Sequence, residues 1–339
     1  MSGKTSVIKE YTTEALFAAF AGLKVLVIGD VMIDSYLWGR VDRISPEAPV
    51  PILQVDNRES RLGGAANVAL NIQALGAVPY LCSVIGNDLD GNNFLSLLSQ
   101  NNLPSEGIYQ SKDRITTIKH RIISGHHHML RVDQETDKPL VKNDKKELLV
   151  KITSLLETCD VIIFEDYDKG VIDEELIAAV VQLANEKSIP TVVDPKKRNF
   201  LHYKHVTLFK PNRKEMKEGL KWDGSLSENK DIEAAVDNLS ALLHTNMILL
   251  TLSEKGVFIK REKEPACIIP AHIRKIADVS GAGDTVVSVA ALCCALNLSP
   301  DKIAELSNLA GGLVCEQVGV VPIDKKLLQT EAELIWNSR

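Results

Sequence analysis

The chain lacks the short signatures that most often mark phosphate and cofactor sites. No GxxxxGK[ST] occurs in its 339 residues, so a P-loop is excluded as a phosphate binder. The first aliphatic run, "VIGDVMID", carries only Gly29 where a dinucleotide fold would place GxGxxG. HExxH and GxSxG are missing too, which removes a zincin and an α/β-hydrolase nucleophile elbow. The six cysteines, at 82, 159, 267, 293, 294 and 315, form no CxxC pair. They are expected to be buried, reduced thiols, in keeping with a cytoplasmic location. The N-terminal stretch is too polar for a signal peptide, and no run of about 18 apolar residues suggests a membrane span. A net charge of −6 disfavours nucleic acid as the main partner, because phosphate-backbone binding needs a basic surface.

What is present is a repeated alternation. Short apolar runs at 24–30, 78–86, 159–166, 189–195, 205–212 and 246–253 read as strands buried on both faces. Helical patterns at 66–76, 144–158, 172–187 and 232–244 lie between most of them, after a short amphipathic helix at 12–22. This predicts an α/β fold with a central, mostly parallel sheet sandwiched by helices, over a single unit spanning 1–339. Two regions break the pattern: 36–61, with three prolines and no helical period, and 115–133, which alternates like a hairpin. In the second, Ile118, His120 and Ile122 are expected on one side, and Lys119, Arg121 and Ile123 on the other. Both regions are expected to supply strands of a small β-sheet lid, whose edges could pair in a homodimer.

Several carboxylates fall just past predicted strand ends: Asp30, Asp34, Asp166 and Asp194, with Lys-Pro-Asn at 210–212. Ligands in open α/β sheets lie off those ends, which points to one site on one edge. The stretch "DVSGAGDTVVSVAALCCAL" at 278–296 puts an acid at the mouth of an apolar helix. Gly281 and Gly283 permit a tight turn and close ligand approach, and the first helical amides form an anion cradle. Asp284 beside that cradle suits a general base toward a hydroxyl, an effect of about 10²–10⁴-fold. It suits equally a first-turn acid behind a Ser280 cap. Gly63 and Gly64 open a second apolar helix and could expose amides to a ligand, with the Asn67 amide bonding a hydroxyl. Asn212 and Glu215, three apart, could hold Mg²⁺ partly through water or could simply form a helix cap. Ser253 and Gly256 follow a strand and could meet a nucleotide. The histidines at 126–128 read as lid residues rather than a metal site.

In chain order, Gly63-Gly64-Ala65-Ala66-Asn67, the Asn212-to-Glu215 element and Asp278-Val279-Ser280-Gly281-Ala282-Gly283-Asp284 resemble the ribokinase-like (PfkB) sugar kinase family. "DYDKG" at 166–170 and "DPK" at 194–196 narrow the likeness to the branch acting on a heptose 7-phosphate, and the missing HxGH signature suggests a kinase without an adenylyltransferase half. The resemblance implies a ribokinase-like fold and phosphorylation of a sugar by ATP with Mg²⁺. Asp284 would be the catalytic base, with Gly281, Ala282 and Gly283 supplying anion-hole amides. Asp34, Gly63, Gly64 and Asn67 would bind sugar hydroxyls. Asn212, Glu215, Ser253, Lys255 and Gly256 would lie at the nucleotide and metal. A monovalent cation such as K⁺ would sit near Asp278 and Ser280. Lys119, Arg121 and Arg131 are the candidates for a distal phosphate, since arginine suits bidentate phosphate contacts. The other readings are a different sugar kinase of the family, a silent sugar- or nucleotide-binding regulator, and a dinucleotide-dependent oxidoreductase.

Overall fold

Aliphatic runs become strands, and the periodic segments between them become helices. The computed structural model describes residues 10–125, 127–272 and 274–337. In chain order it begins α1 (Thr13–Phe20), β1 (Lys24–Gly29), β2 (Val31–Ile44), β3 (Pro51–Gly64), α2 (Ala65–Ala74), β4 (Val78–Gly86), α3 (Leu89–Gln100) and β5 (Ile108–Ser111). Next come β6 (Ile118–Ser124), β7 (His127–Gln134), α4 (Lys142–Leu156), β8 (Val161–Glu165), α5 (Glu174–Glu186), β9 (Thr191–Asp194) and β10 (Leu208–Phe209). The chain continues through α6 (Arg213–Leu220), α7 (Asn229–Leu243), β11 (Met247–Thr251), β12 (Val257–Arg261), β13 (Cys267–Ile269), α8 (Ala282–Ala295), α9 (Pro300–Val314) and α10 (Lys325–Asn337).

The large sheet has the order β13-β12-β11-β10-β9-β8-β1-β4-β5, and only β12 and β13 run antiparallel to their neighbours. Alternate residues of its central strands face opposite ways. Val25, Val27, Val161 and Ile163 pack with α2, α8 and α9; Leu26, Ile28, Ile162 and Phe164 pack with α4, α5 and α7. Both faces are thereby covered, which is why these strands read as unbroken apolar runs. Of the expected strand 205–212 only Leu208–Phe209 forms β10, although the Lys210 N–H and the Pro211 carbonyl still bond the neighbouring strands. No helix among the described residues is long and apolar enough to cross a membrane.

A separate sheet, β3-β2-β6-β7, grows directly from the main one. β2 leaves β1 after the single residue Asp30, and β3 runs straight into α2 at Gly64. Asp34, expected past a strand end, lies instead within β2, where its register partners are Arg61 and Lys119. In β6 the two buried residues are Ile118 and Ile123, one from each side of the expected alternation. β6 pairs with β2 without interruption, and the register shift against β7 leaves one extra residue, Met129, in β7. Along β7 every residue is exposed, including His127 and His128; His126 lies outside the described residues.

Candidate active site

Asp284 occupies the first turn of α8 and is 6% exposed. Its N-cap, Gly281, has φ +80°, a left-handed conformation that favours glycine, and a Cβ there would lie 3.1 Å from Asn67 Nδ2. Ser280 makes no side-chain cap; its own N–H bonds the Asp278 carboxylate at 3.0 Å. Two donors grip the Asp284 carboxylate: Asn67 Nδ2 at 2.6 Å on Oδ2, and the Tyr167 hydroxyl at 2.8 Å on Oδ1. Burial pushes its pKa up to about 6, against the lowering effect of these two bonds; Asp194 raises it further and Lys210 lowers it. Such a group is ionised at neutral pH yet basic enough to take a proton. Of the α8 amides, that of Ala282 turns back to the Val279 carbonyl at 3.3 Å. Those of Gly283 and Asp284 make no hydrogen bond among the described residues, so the open cradle sits one residue later than the glycine-alanine-glycine pattern alone suggests.

Beneath Gly283 lies a polar floor. A Cβ on Gly283 would stand 3.5 Å from Asp194 Oδ2 and 3.8 Å from Lys210 Nζ, so glycine leaves that space open. Lys210 is buried and paired with Asp194 at 2.9 Å. Burial alone would discharge this ammonium, but Asp194 and Glu215 hold its pKa above the ordinary lysine value. Lys196 reaches Glu215 at 2.7 Å and lies 3.9 Å from Asp194. Asn212 and Glu215 form a reciprocal capping box on α6, with bonds of 2.9 and 2.8 Å. An isolated bridge joins Asn212 to Thr251, which brings in the turn bearing exposed Ser253 and Lys255. Gly256 ends that turn at φ +91°, where a Cβ would strike the Ile269 carbonyl. A continuous polar path therefore runs from Asp284 through Asp194, Lys196 and Asn212 to Ser253.

The opposite flank is the root of the small sheet. Asp34 is buried and forms an ion pair with Arg121. Gly63 lies so close that a Cβ would come within 2.5 Å of Asp34 Oδ2. Gly64, at φ +62°, hands the chain to α2, whose third residue is Asn67. The guanidiniums of Arg121 and Arg61 lie 5.2 and 5.0 Å from the Tyr36 ring centre. Lys119 is half-buried, and desolvation depresses its pKa. Arg131 stands apart: its side chain is 59% exposed and held by Asp133 at 2.9 Å.

Two of the strand-end acids belong to the scaffold. Asp30 accepts from the backbone N–H groups of Tyr167, Lys169 and Val171 at 2.9–3.0 Å and so shapes the turn after β8. Asp166 points to the other face, where Asn199 and Tyr203 donate to it at 2.9 and 2.8 Å. In return, the structure brings forward Tyr167, Lys196, Lys210 and Glu165, for which sequence patterns alone show no role. Tyr167 and Lys196 fall inside the quoted "DYDKG" and "DPK" runs, but nothing local says which way they face.

Magnesium fits the Asn212–Glu215 pair only at one remove. Asn212 Oδ1 and both Glu215 oxygens already accept hydrogen bonds. Each carboxylate oxygen keeps a second lone pair, enough to receive water of a hydrated ion. No group of three metal-ligating side chains occurs among the described residues.

A family model described as pfkB family carbohydrate kinase matches residues 23–326. The bifunctional protein HldE of Helicobacter pylori is 39% identical over 297 residues, covering 87% of this chain and 64% of that protein. The HldE of Citrifermentans bemidjiense is 35% identical over 306 residues, or 90% of this chain and 62% of its own length. The chain thus spans a little under two thirds of these curated relatives. Among solved structures, Escherichia coli phosphofructokinase-2 in complex with substrates and products superposes with a TM-score of 0.73 at 19% identity, covering 94% of this chain and all of that one. Arabidopsis thaliana ribokinase complexed with ribose and ATP gives 0.70 at 14%, covering 91% and 99%. These structural likenesses carry the ribokinase-like fold, and the sequence matches carry the rest: the chain belongs to the pfkB family of carbohydrate kinases.

Proposed function

We propose that this kinase transfers the γ-phosphoryl group of ATP to the anomeric hydroxyl of D-glycero-β-D-manno-heptose 7-phosphate. The product would be the 1,7-bisphosphate, on the route to ADP-heptose for lipopolysaccharide. The observation that carries the reaction is the buried Asp284 carboxylate, gripped by Asn67 and Tyr167 beside open helix amides. The similarity to HldE supports the heptose substrate.

In this reading the sugar lies between Asp34, Gly63, Gly64 and Asn67 and the mouth of α8. Asp284 accepts the proton of the attacking hydroxyl as the new O–P bond forms and the bond to the β–γ bridging oxygen breaks, releasing ADP. The Gly283 and Asp284 amides, with Lys210 close below, stabilise the charge spread over the transferring group, which is where phosphoryl-transfer catalysis mostly lies. Lys119 and Arg121, at the root of the small sheet, face the distal phosphate; Arg131, committed to Asp133, is the weaker candidate. ATP lies along Asn212, Glu215, Ser253, Lys255 and Gly256. Asn212 and Glu215 would hold magnesium there through its water, and it would supply charge neutralisation of the phosphates. A monovalent cation would lie beside Asp278, whose carboxylate accepts the backbone N–H groups of Ser280 and Gly319 at 3.0 Å. The enzyme works in the cytoplasm as a homodimer paired through the small sheet.

The test is an ATP-consumption panel with the heptose 7-phosphate, fructose 6-phosphate, fructose and ribose. Strong preference for the heptose phosphate is expected. Preference for another sugar overturns the substrate assignment, and no consumption with any sugar overturns the catalytic reading in favour of a binding protein.

A further inference from the structure

Strands β8 and β9 end side by side, with Glu165 and Asp194 as register partners. Two positions earlier, Ile163 and Val192 pack into the core that holds α8. The period of two therefore sends Glu165 and Asp194 to that same face, beneath the α8 N-terminus. Glu165 is 1% exposed, and neither of its oxygens has a hydrogen-bond partner; Asp194 Oδ1 likewise accepts no hydrogen bond, its nearest cation being Lys196 at 3.9 Å. Nothing in the kinase reading uses this side chain.

The groups facing Glu165 can be named element by element. β9 contributes Asp194, α8 contributes Asp284, and the segments after β9 and β10 contribute Lys196 and Lys210. The segment after β8 contributes Tyr167, whose proton is given to Asp284. On the other side, β1 offers only Gly29. Lys196 and Lys210 pull the Glu165 pKa downward from a distance, but neither bonds it: Lys210 is paired with Asp194 and Lys196 with Glu215. An ionised carboxylate buried without donors is far costlier than the neutral acid. Burial first, then Asp194 and Asp284, push the Glu165 pKa well above the ordinary glutamate value.

We infer that Glu165 is carried as a neutral carboxylic acid at physiological pH. It is a positioning residue: its neutrality keeps one more negative charge away from Asp194, Asp284 and the incoming phosphates. This functional meaning rests on the kinase reading, but the protonation state is tested without any substrate. The sign of its effect on stability is fixed. A glutamate that stays protonated in the fold but ionises in the unfolded chain weakens the fold progressively above about pH 4.3, until its native pKa is reached. Glutamine, which cannot ionise, escapes that penalty.

The experiment uses ligand-free protein. Infrared spectroscopy at pH 7.5 is expected to show a protonated-carboxyl C=O band that is absent in Glu165→Gln. ¹³C-glutamate labelling of the unmutated protein shifts the same band, assigning it without any substitution. The melting temperature of Glu165→Gln is expected to exceed that of the parent by a margin that grows between pH 5 and 8, reaching about 2 °C or more. The idea is overturned if labelling reveals no glutamic-acid band, or if the melting difference is flat or negative across that range. Mn²⁺ bound by the nucleotide-free parent but not by Glu165→Gln would overturn it too, since a cation would then neutralise the group. Failure of the sugar panel leaves all three readouts intact.

Discussion

Tyr167 and Asp284 stand 117 positions apart in the chain and meet at 2.8 Å, the phenol donating to Oδ1. Asn67 closes on the other oxygen, at 2.6 Å, from a helix 217 positions away. The carboxylate is thus aimed by two elements distant from its own in sequence, β8's turn and α2. Its ionisation near pH 6 makes this clamp measurable.

The pH profile follows from the base itself. A carboxylate with its pKa at about 6 must lose its proton to act, so kcat/KM is expected to rise with pH and level off above that value. Asp284→Asn should fold and bind ATP yet lose about 10²–10⁴-fold in kcat. Near-parent turnover in that variant would remove Asp284 from its role.

Tyr167→Phe removes one donor to the ionised form. A hydrogen bond to the charged state lowers a pKa, so its loss should move the acid limb to higher pH. Turnover at neutral pH should fall about tenfold, the worth of one such bond of roughly 1.4 kcal/mol. An unmoved limb, measured from pH 5 to 8, would mean that the phenol does not hold the base.

Gly281→Ala tests the turn before α8. Its φ of +80° disfavours a side chain, and the new methyl would press on Asn67 Nδ2 from 3.1 Å. Strain of about 1–2 kcal/mol is expected in thermal or urea unfolding. Activity should drop by more than that stability loss accounts for, because Asn67 is displaced from Asp284. Equal stability and full activity would contradict the assigned geometry.

The small sheet offers a test of assembly. Met129, Leu130 and Val132 are exposed along β7, as is Val55 on β3. Apolar groups on open strands favour pairing with a second copy. A Leu130→Lys, Val132→Lys double variant should run as a monomer in light scattering while its melting temperature stays near that of the parent. A monomeric parent would overturn the dimer.

Much of this architecture is written locally. The strand–helix alternation gives the doubly covered sheet, and the Gly63–Gly64 pair and Gly281 mark the two helix mouths that converge on Asp284. Other features depend on partners that no short window contains. Asp30 and Asp34 look alike in sequence, yet one props a turn from within and the other pairs with Arg121 at the lid root. Asp166 and Asp194 both close apolar strands, but one extra residue sends Asp166 to the opposite face. The spacing of Asn212 and Glu215 fits a capping box and a metal pair equally, because both need an amide oxygen and a carboxylate one helical turn apart. The bulge at Met129 in β7 is equally silent, as an extra residue leaves no compositional trace.

Gly64 passes from β3 into α2 without an intervening loop, and Asn67 follows within one helical turn. On the proposed kinase reading, a swing of the outer sheet would be transmitted mechanically, like the stroke of a crank, to the amide that grips Asp284. Closing over a sugar and aligning the proton acceptor would then be a single motion, so that a half-seated substrate meets a misaimed carboxylate and ATP is spared from attack by water.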